Sequence, residues 1–147
     1  MALIPDIVSP YLVAVAAGWI VAQGLKYLFV VARTHDWGNL RQLYLSGNMP
    51  SAHSATVMAL TTLIGFKDGM GSGLFGLAAL FASVVMYDAM MVRRSSGEQG
   101  MAIQELIKSL KSNVALPRSA KGHTPLEVVA GAMIGVAIGA VVFIATK

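Results

Sequence analysis

Long apolar blocks alternate with shorter polar segments along the chain, a pattern typical of a protein that crosses a membrane several times. The blocks lie at residues 11–32, 50–66, 74–92 and 125–145. The first contains about 22 residues, interrupted only by Gln23 and Lys26, and is long enough to cross a bilayer as a helix. The second is short for a span and polar at its start. The pattern therefore predicts an all-α protein with about four transmembrane spans.

The longest polar section, residues 93–122, contains a different kind of helix. Four of its apolar residues fall on one helical face, namely Ile103, Leu106, Ile107 and Leu110. The charged residues Glu105, Lys108 and Lys111 fall elsewhere around the same helix. This arrangement predicts one amphipathic helix lying at the membrane surface.

The composition agrees with a membrane protein. Of the 147 residues, 56% are apolar and only 12% are charged, and the mean hydropathy is +0.67. These values lie outside the usual range of soluble domains, and the length suits a single domain over residues 1–147. The chain has no cysteine, which excludes disulfides and thiol chemistry. A net charge of +4 would suit nucleic acid, but basic loops beside apolar spans account for it, so we expect no nucleic-acid partner.

Lysine and arginine are distributed unevenly between the two sets of loops. Residues 33–50 and 93–122 hold eight of them, whereas the other side holds only Lys67 and Lys147. By the positive-inside rule, we expect the two larger loops in the cytoplasm and both termini on the opposite side.

The last apolar block carries a repeated small residue. Gly131, Gly135 and Gly139 form a double GxxxG stripe on one helical face, which should let another helix approach closely. The partner helix could belong to the same chain or to a second copy, so a homodimer through this stripe is one hypothesis.

In the predicted orientation, ionisable residues near the spans gather at the cytoplasmic end. They are Lys26, Arg33, His53, Asp88, Arg93, Arg94, His123 and Glu127. Charged groups near a membrane are costly, so their convergence on one face indicates a functional site. Asp88 is best interpreted as a structural partner of Arg93, Arg94 or Lys26.

The start of the last block has two interpretations. His123 and Glu127 are four residues apart, the spacing of neighbours on a helix, and form a candidate catalytic pair. Alternatively, Thr124 as N-cap, Pro125 at N1 and Glu127 at N3 form a capping box without any chemistry.

The gathered side chains suit a phosphate ligand. A guanidinium offers a planar fork of donors and an ammonium a point charge, and the helix start at Ser51-Ala52-His53 adds backbone N–H groups. Since the chain has no Walker-type loop and no metal cluster in its sequence, the remaining phosphoryl chemistry is attack by a side chain. Neutral imidazole is a competent nucleophile near pH 7, and a second imidazole can protonate a leaving oxygen.

Three segments resemble the signature of the type 2 phosphatidic acid phosphatase superfamily, whose members include membrane lipid-phosphate phosphatases and vanadium haloperoxidases. Lys26 and Arg33 keep the spacing of the first motif, with Thr34 in place of its proline. The segment Pro50-Ser51-Ala52-His53 is similar to the second motif, Pro-Ser-Gly-His, with alanine for glycine.

The third motif is similar at its end and displaced at its beginning. His123 and Glu127 keep its final spacing, with glutamate for the usual aspartate. Its arginine corresponds best to Arg93 or Arg94, and Arg118 and Lys121 are lesser candidates. Taken together, the motifs resemble those of the small divergent branch of this superfamily.

The resemblance implies a role for each residue. His123 would attack phosphorus and form a phosphohistidine, Glu127 would orient it, and His53 would protonate the leaving alcohol. The phosphoryl oxygens would be held by Lys26, Arg33, Ser51 and either Arg93 or Arg94. No metal and no other cofactor would be required.

We therefore expect a metal-independent phosphatase acting on a lipid phosphate at the cytoplasmic leaflet. Phosphatidic acid, phosphatidylglycerophosphate and polyprenyl mono- or diphosphates all fit as substrates. Two alternatives stay open, a non-catalytic binder of anionic lipid and a small membrane scaffold held by GxxxG contacts.

Overall fold

The computed structural model describes residues 9–35, 37–38, 49–117 and 122–147, and every regular element within these ranges is helical. In chain order the elements are α1 (Pro10–Thr34), α2 (Ala52–Lys67), α3 (Gly73–Tyr87), a π-helix (Asp88–Val92), α4 (Arg93–Ser109) and α5 (Pro125–Ala145). The prediction of an all-α fold is confirmed. Arg118 and Lys121, the lesser candidates for the arginine of the third motif, lie outside the described residues.

In the part of the chain that the structure describes, three helical segments are long and apolar enough to cross a membrane, namely α1, α5 and the continuous run Gly73–Ser109. The remaining predicted span, the second apolar block, corresponds to α2, which has 16 residues. At 1.5 Å per residue it is about 24 Å long, which is less than the roughly 30 Å of a hydrocarbon layer. It packs against α5, α1 and α3 and contributes the fully buried Ala55, Ala59 and Leu63. The short helix is thus the centre of the bundle.

The amphipathic segment is helical, as predicted, but it is continuous with the third span. α3, the π-helix and α4 form one run of 37 residues, and no proline interrupts the sequence from Gly73 to Ser109. Such a run is about 55 Å long and exceeds the thickness of the hydrocarbon layer. The apolar side chains of Ile103, Leu106 and Leu110 stay exposed on it. The structure therefore joins the predicted amphipathic helix end to end with the third span.

The closest contact in the bundle is between α2 and α5. Carbonyl oxygens of α2 lie where Cβ atoms would project from three residues of α5, Ser51 opposite Gly131, Ala55 opposite Gly135 and Ala59 opposite Gly139. Both series advance by four residues, so the two helices run parallel and in register. A side chain at any of these three positions of α5 would overlap a backbone oxygen of the other helix. Only glycine therefore permits this approach.

This packing bears on the dimer hypothesis. Gly131, Gly135 and Gly139 face backbone of the same chain, so the stripe is covered within one molecule. A homodimer or a scaffold contact through that stripe has no surface left to use, because α2 occupies it. Any dimer would need a different face.

The α2–α5 register can be tested by adding one methyl group. A Cβ at position 135 would overlap the Ala55 oxygen and lie 2.8 Å from the Met58 Cβ. We expect Gly135→Ala to lower the free energy of unfolding by about 1–3 kcal/mol, the usual cost of overpacking, measured by unfolding in detergent. Gly24→Ala in α1 is the matched control, since nothing lies within 4 Å of its Cβ. Equal stability of the two variants would contradict the packing.

Candidate active site

The beginning of α5 forms the predicted capping box, and the carboxylate of that box also contacts His123. The Thr124 hydroxyl accepts the Glu127 N–H at 3.4 Å, and Glu127 Oε2 accepts the Thr124 N–H at 2.9 Å, which completes the capping box. The same Oε2 lies 3.2 Å from Nδ1 of His123. The capping box therefore holds the carboxylate in place, and the carboxylate in turn orients the imidazole.

The backbone of His123 is fixed to the end of the third span. Its N–H donates to the Ala89 carbonyl oxygen at 3.0 Å, inside the π-helix. A Cβ on the preceding Gly122 would overlap the backbone of Arg94, so glycine is needed for the loop to pass this close. His123 is only 6% exposed as a result. Such wide turns occur often at functional sites, because they present a carbonyl to a partner outside the helix.

The start of α2 is joined directly to the start of α5. The Ser51 N–H donates to the Glu127 carbonyl oxygen at 3.1 Å, and the Ser51 hydroxyl oxygen accepts hydrogen bonds from the N–H and hydroxyl of Ser54. Ser51 is fully buried and its N–H and hydroxyl oxygen are engaged, so it positions α2 in this structure. The first-turn N–H groups of Ala52 and His53 have no acceptor within the helix and are the donors left for a ligand.

Side chains from four segments meet at this end of the bundle. Electrostatic interactions connect His53 with His123, Arg93, Asp88 and Lys26, and His123 with Glu127, Lys26 and Arg93. Lys26 lies on α1, is 5% exposed, and also interacts with Glu127. The structure thus brings together six of the predicted residues, including both histidines. We refer to Lys26, His53, Arg93, His123 and Glu127 as the histidine cluster.

The protonation state of His123 suits a nucleophile. Burial lowers its pKa below that of an exposed imidazole, and Lys26 and Arg93 act in the same direction. The hydrogen bond and the charge of Glu127 oppose this shift without reversing it. The ring is therefore neutral near pH 7. Since Nδ1 faces the carboxylate, Nδ1 carries the proton and the lone pair is on Nε2.

The predicted arginines fall into different environments. Arg93 Nε lies 2.6 Å from Asp88 Oδ2, so the two side chains form an ion pair. Arg94 pairs with Glu98 at 3.1 Å, and both side chains are more than half exposed. Consecutive residues on a helix point in directions about 100° apart, and of these two arginines it is Arg93 whose charge acts on both histidines.

Arg33 is not brought into the histidine cluster in this structure. Its guanidinium lies 5.6 Å from the ring centroid of Phe29, and it is exposed at the end of α1. It is two helical turns beyond Lys26, or about 10 Å along the axis, which explains the separation.

A cleft of about 240 Å³ lies beside His123 and leads away from the span. It is lined by Arg94, Gly97, Glu98, Met101, Gly122, His123 and Thr124. Over the described ranges of the chain, no group of three or more histidine, cysteine or acidic residues could hold a metal ion. The cleft borders the buried His123 at this end of the bundle.

Two groups that position His123 were not found from the sequence. The Ala89 carbonyl carries no side-chain signature, and a π-helix cannot be read from the apolar run that contains it. A glycine directly before His123 is a weak signal for a close backbone approach, and its partner Arg94 is far away in sequence. Both depend on contacts between distant segments.

Comparison with known proteins agrees with the three motifs. A family model described as "Divergent PAP2 family" matches residues 7–138. The chain is also 36% identical over 137 residues to the uncharacterized membrane protein YuiD of Bacillus subtilis (strain 168), covering 82% of this chain and 85% of that protein. No solved structure matches. Because the family match extends over most of the chain, this membrane protein belongs to the divergent PAP2 family.

Proposed function

We propose that this protein hydrolyses a lipid phosphate through a phosphohistidine intermediate at the cytoplasmic face of the membrane. One observation carries the proposal. His53 and His123, which are far apart in sequence, meet at one end of the bundle together with Lys26 and Arg93. Membership of a PAP2-related family supports the same reaction class.

In the first half-reaction, Nε2 of His123 attacks phosphorus while Glu127 accepts the hydrogen bond from Nδ1–H. The new N–P bond forms as the P–O bond to the lipid alcohol breaks, and His53, which is protonated once the phosphate anion is bound beside it, gives its proton to the departing oxygen. Charge that develops on the phosphoryl oxygens is stabilised by Lys26, Arg93 and the N–H groups at the start of α2.

In the second half-reaction, water attacks the phosphohistidine. His53, now neutral, accepts a proton from that water, and the N–P bond breaks. Inorganic phosphate is released and the lone pair returns to Nε2 of His123, so both histidines regain their starting states. The cleft beside His123 is the route by which we expect water to enter and phosphate to leave.

The basic loops support a cytoplasmic site. The histidine cluster lies near the end of α1 and at the beginnings of α2 and α5, which all belong to the same end of the bundle. The polar segments at this end carry most of the lysine and arginine, as expected for cytoplasmic loops. We therefore propose that the reaction occurs at the inner leaflet, with both termini on the other side.

The proposal is tested by phosphate release from the purified protein in lipid nanodiscs. The panel consists of phosphatidic acid, phosphatidylglycerophosphate and polyprenyl mono- and diphosphates, each with and without a metal chelator. We expect release from at least one lipid, unchanged by chelation. Binding of these lipids without any turnover would instead support the non-catalytic lipid binder and contradict the proposal.

A further inference from the structure

An apolar groove runs along the lipid-facing side of the bundle between α5 and the segment formed by α3 and the π-helix. Its volume is about 520 Å³. Its lining includes Met86, Met90, Val128, Ala132, Met133 and Val136, and no charged side chain contributes to it. The groove is separate from the cleft beside Arg94 and Glu98.

One end of the groove is formed by residues next to those that hold the histidine cluster. Met90 follows Ala89, whose carbonyl oxygen accepts the His123 N–H, and Val128 follows Glu127. From Val128 to Val136 the groove extends eight residues along α5, or about 12 Å, toward the interior of the span. A molecule with its polar end at the histidines would therefore have its apolar part in the groove.

We propose that this groove binds one hydrocarbon chain of the lipid phosphate whose headgroup lies at the histidine cluster. The inference rests on the proposed function and adds a second recognition element to it. Since lipid tails are as apolar as the groove, the gain comes from packing and from positioning the phosphate, not from removal of apolar surface from water. Flexible methionine side chains accommodate bent or methyl-branched chains, so the groove recognises a chain attached near a phosphate and tolerates variation in its structure.

Filling the end of the groove that is far from His123 distinguishes loss of chain binding from a general loss of enzyme activity. Val136→Trp fills the groove far from His123, whereas Val141→Trp places the same side chain on an exposed position of α5 outside it. Each variant is assayed with long-chain and short-chain lipids that carry the same headgroup.

We expect Val136→Trp to lower kcat/KM for the long-chain lipid by about tenfold or more, since misplacement of a substrate by about 1 Å can cost about 10²-fold. Short-chain turnover should stay unchanged, and Val141→Trp should change neither. Equal losses for both lipids, or no loss, would overturn the proposal.

Photo-crosslinking provides a readout that does not need turnover. The probe is a phosphatidic acid with a diazirine in the middle of one chain, bound to the full-length His123→Ala protein in nanodiscs. We expect labelling of Met133 and Val136 that excess phosphatidic acid suppresses, that phosphatidylcholine does not, and that Val136→Trp removes. Suppression by phosphatidylcholine to the same extent would identify ordinary bilayer lipid and overturn the proposal, as would labelling spread over all outward faces. Crosslinks to a second copy would assign the groove to a dimer and also overturn it.

The two experiments separate failure of the groove from failure of the phosphatase. Specific labelling without phosphate release from any lipid would support chain binding and reject catalysis. Phosphate release that is insensitive to Val136→Trp, with no specific labelling, would support catalysis and reject the groove.

Discussion

His123→Ala and His53→Ala should each lower phosphate release by a factor of about 10² or more, the scale of removing a positioned nucleophile or general acid. The reason is different for each residue. Without His123 there is no nitrogen to form the phosphohistidine. Without His53 the departing alcohol must leave as an unprotonated alkoxide.

That difference gives a sharper test than the loss itself. A phosphate ester with an acidic leaving alcohol needs little protonation, so it should restore much of the turnover of His53→Ala and none of that of His123→Ala. The matched control is His35→Asn, which removes the third histidine, at the exposed end of α1, and replaces it with a residue that tolerates its positive φ of 54°. Equal rescue of both site variants, or an equal loss in His35→Asn, would contradict the assigned roles.

The second large effect is expected at adjacent arginines. Arg93→Ala should lower kcat/KM by about 10²-fold, the scale of losing one preorganised donor to a developing oxyanion. Arg94→Ala should change kcat/KM little, because its guanidinium pairs with Glu98 at an exposed site. The two variants make the same substitution on neighbouring residues of one helix, and rates are compared over the panel of lipid phosphates.

Removal of Arg93 also leaves Asp88 without its partner at 2.6 Å. Asp88→Asn is therefore the accompanying control, since it breaks the ion pair and keeps the guanidinium. We expect the Asn variant to retain most of the activity. A greater loss in Arg94→Ala than in Arg93→Ala would reverse the assignment of the phosphate ligand.

The geometry of α5 shows why a structural and a catalytic interpretation need not compete. A capping box places the carboxylate of Glu127 at the first turn, where it satisfies the Thr124 N–H. His123 precedes that turn, so the same carboxylate oxygen can also receive its Nδ1–H. A glutamate can do both because its longer side chain folds back over the helix start. The replacement of the usual aspartate by Glu127 is therefore compatible with an oriented imidazole.

The glycine stripe explains how two distant histidines come to lie at one level. A carbonyl oxygen at the start of α2 or within it lies against each glycine of the stripe, Gly131, Gly135 and Gly139. These three contacts fix the two helices in one register. The Ser51 N–H then reaches the Glu127 carbonyl oxygen and aligns both helix starts. Through this alignment, a packing feature of the membrane interior sets the geometry of the candidate site at the bundle's end.

The sequence by itself determined the helical class, the approximate positions of the apolar helices and the end of the bundle at which the ionisable residues gather. These properties follow from local pattern, since the length of an apolar run and the spacing of polar groups on a helix do not depend on distant contacts. The two histidines and Lys26 could be found for the same reason, because a charged or polar group beside an apolar run is visible in the sequence.

Only the tertiary structure decided how these parts meet. It placed Arg93 in electrostatic contact with both histidines, Arg94 beside Glu98 and Arg33 beside Phe29, because side-chain direction depends on helix phase and on the neighbouring helix. In the structure, the glycine stripe packs against α2 of the same chain. The His123 N–H donates a hydrogen bond to the Ala89 carbonyl oxygen in the π-helix. Each of these outcomes depends on which backbone atoms lie opposite one another across two segments, and that relation arises only when the helices pack.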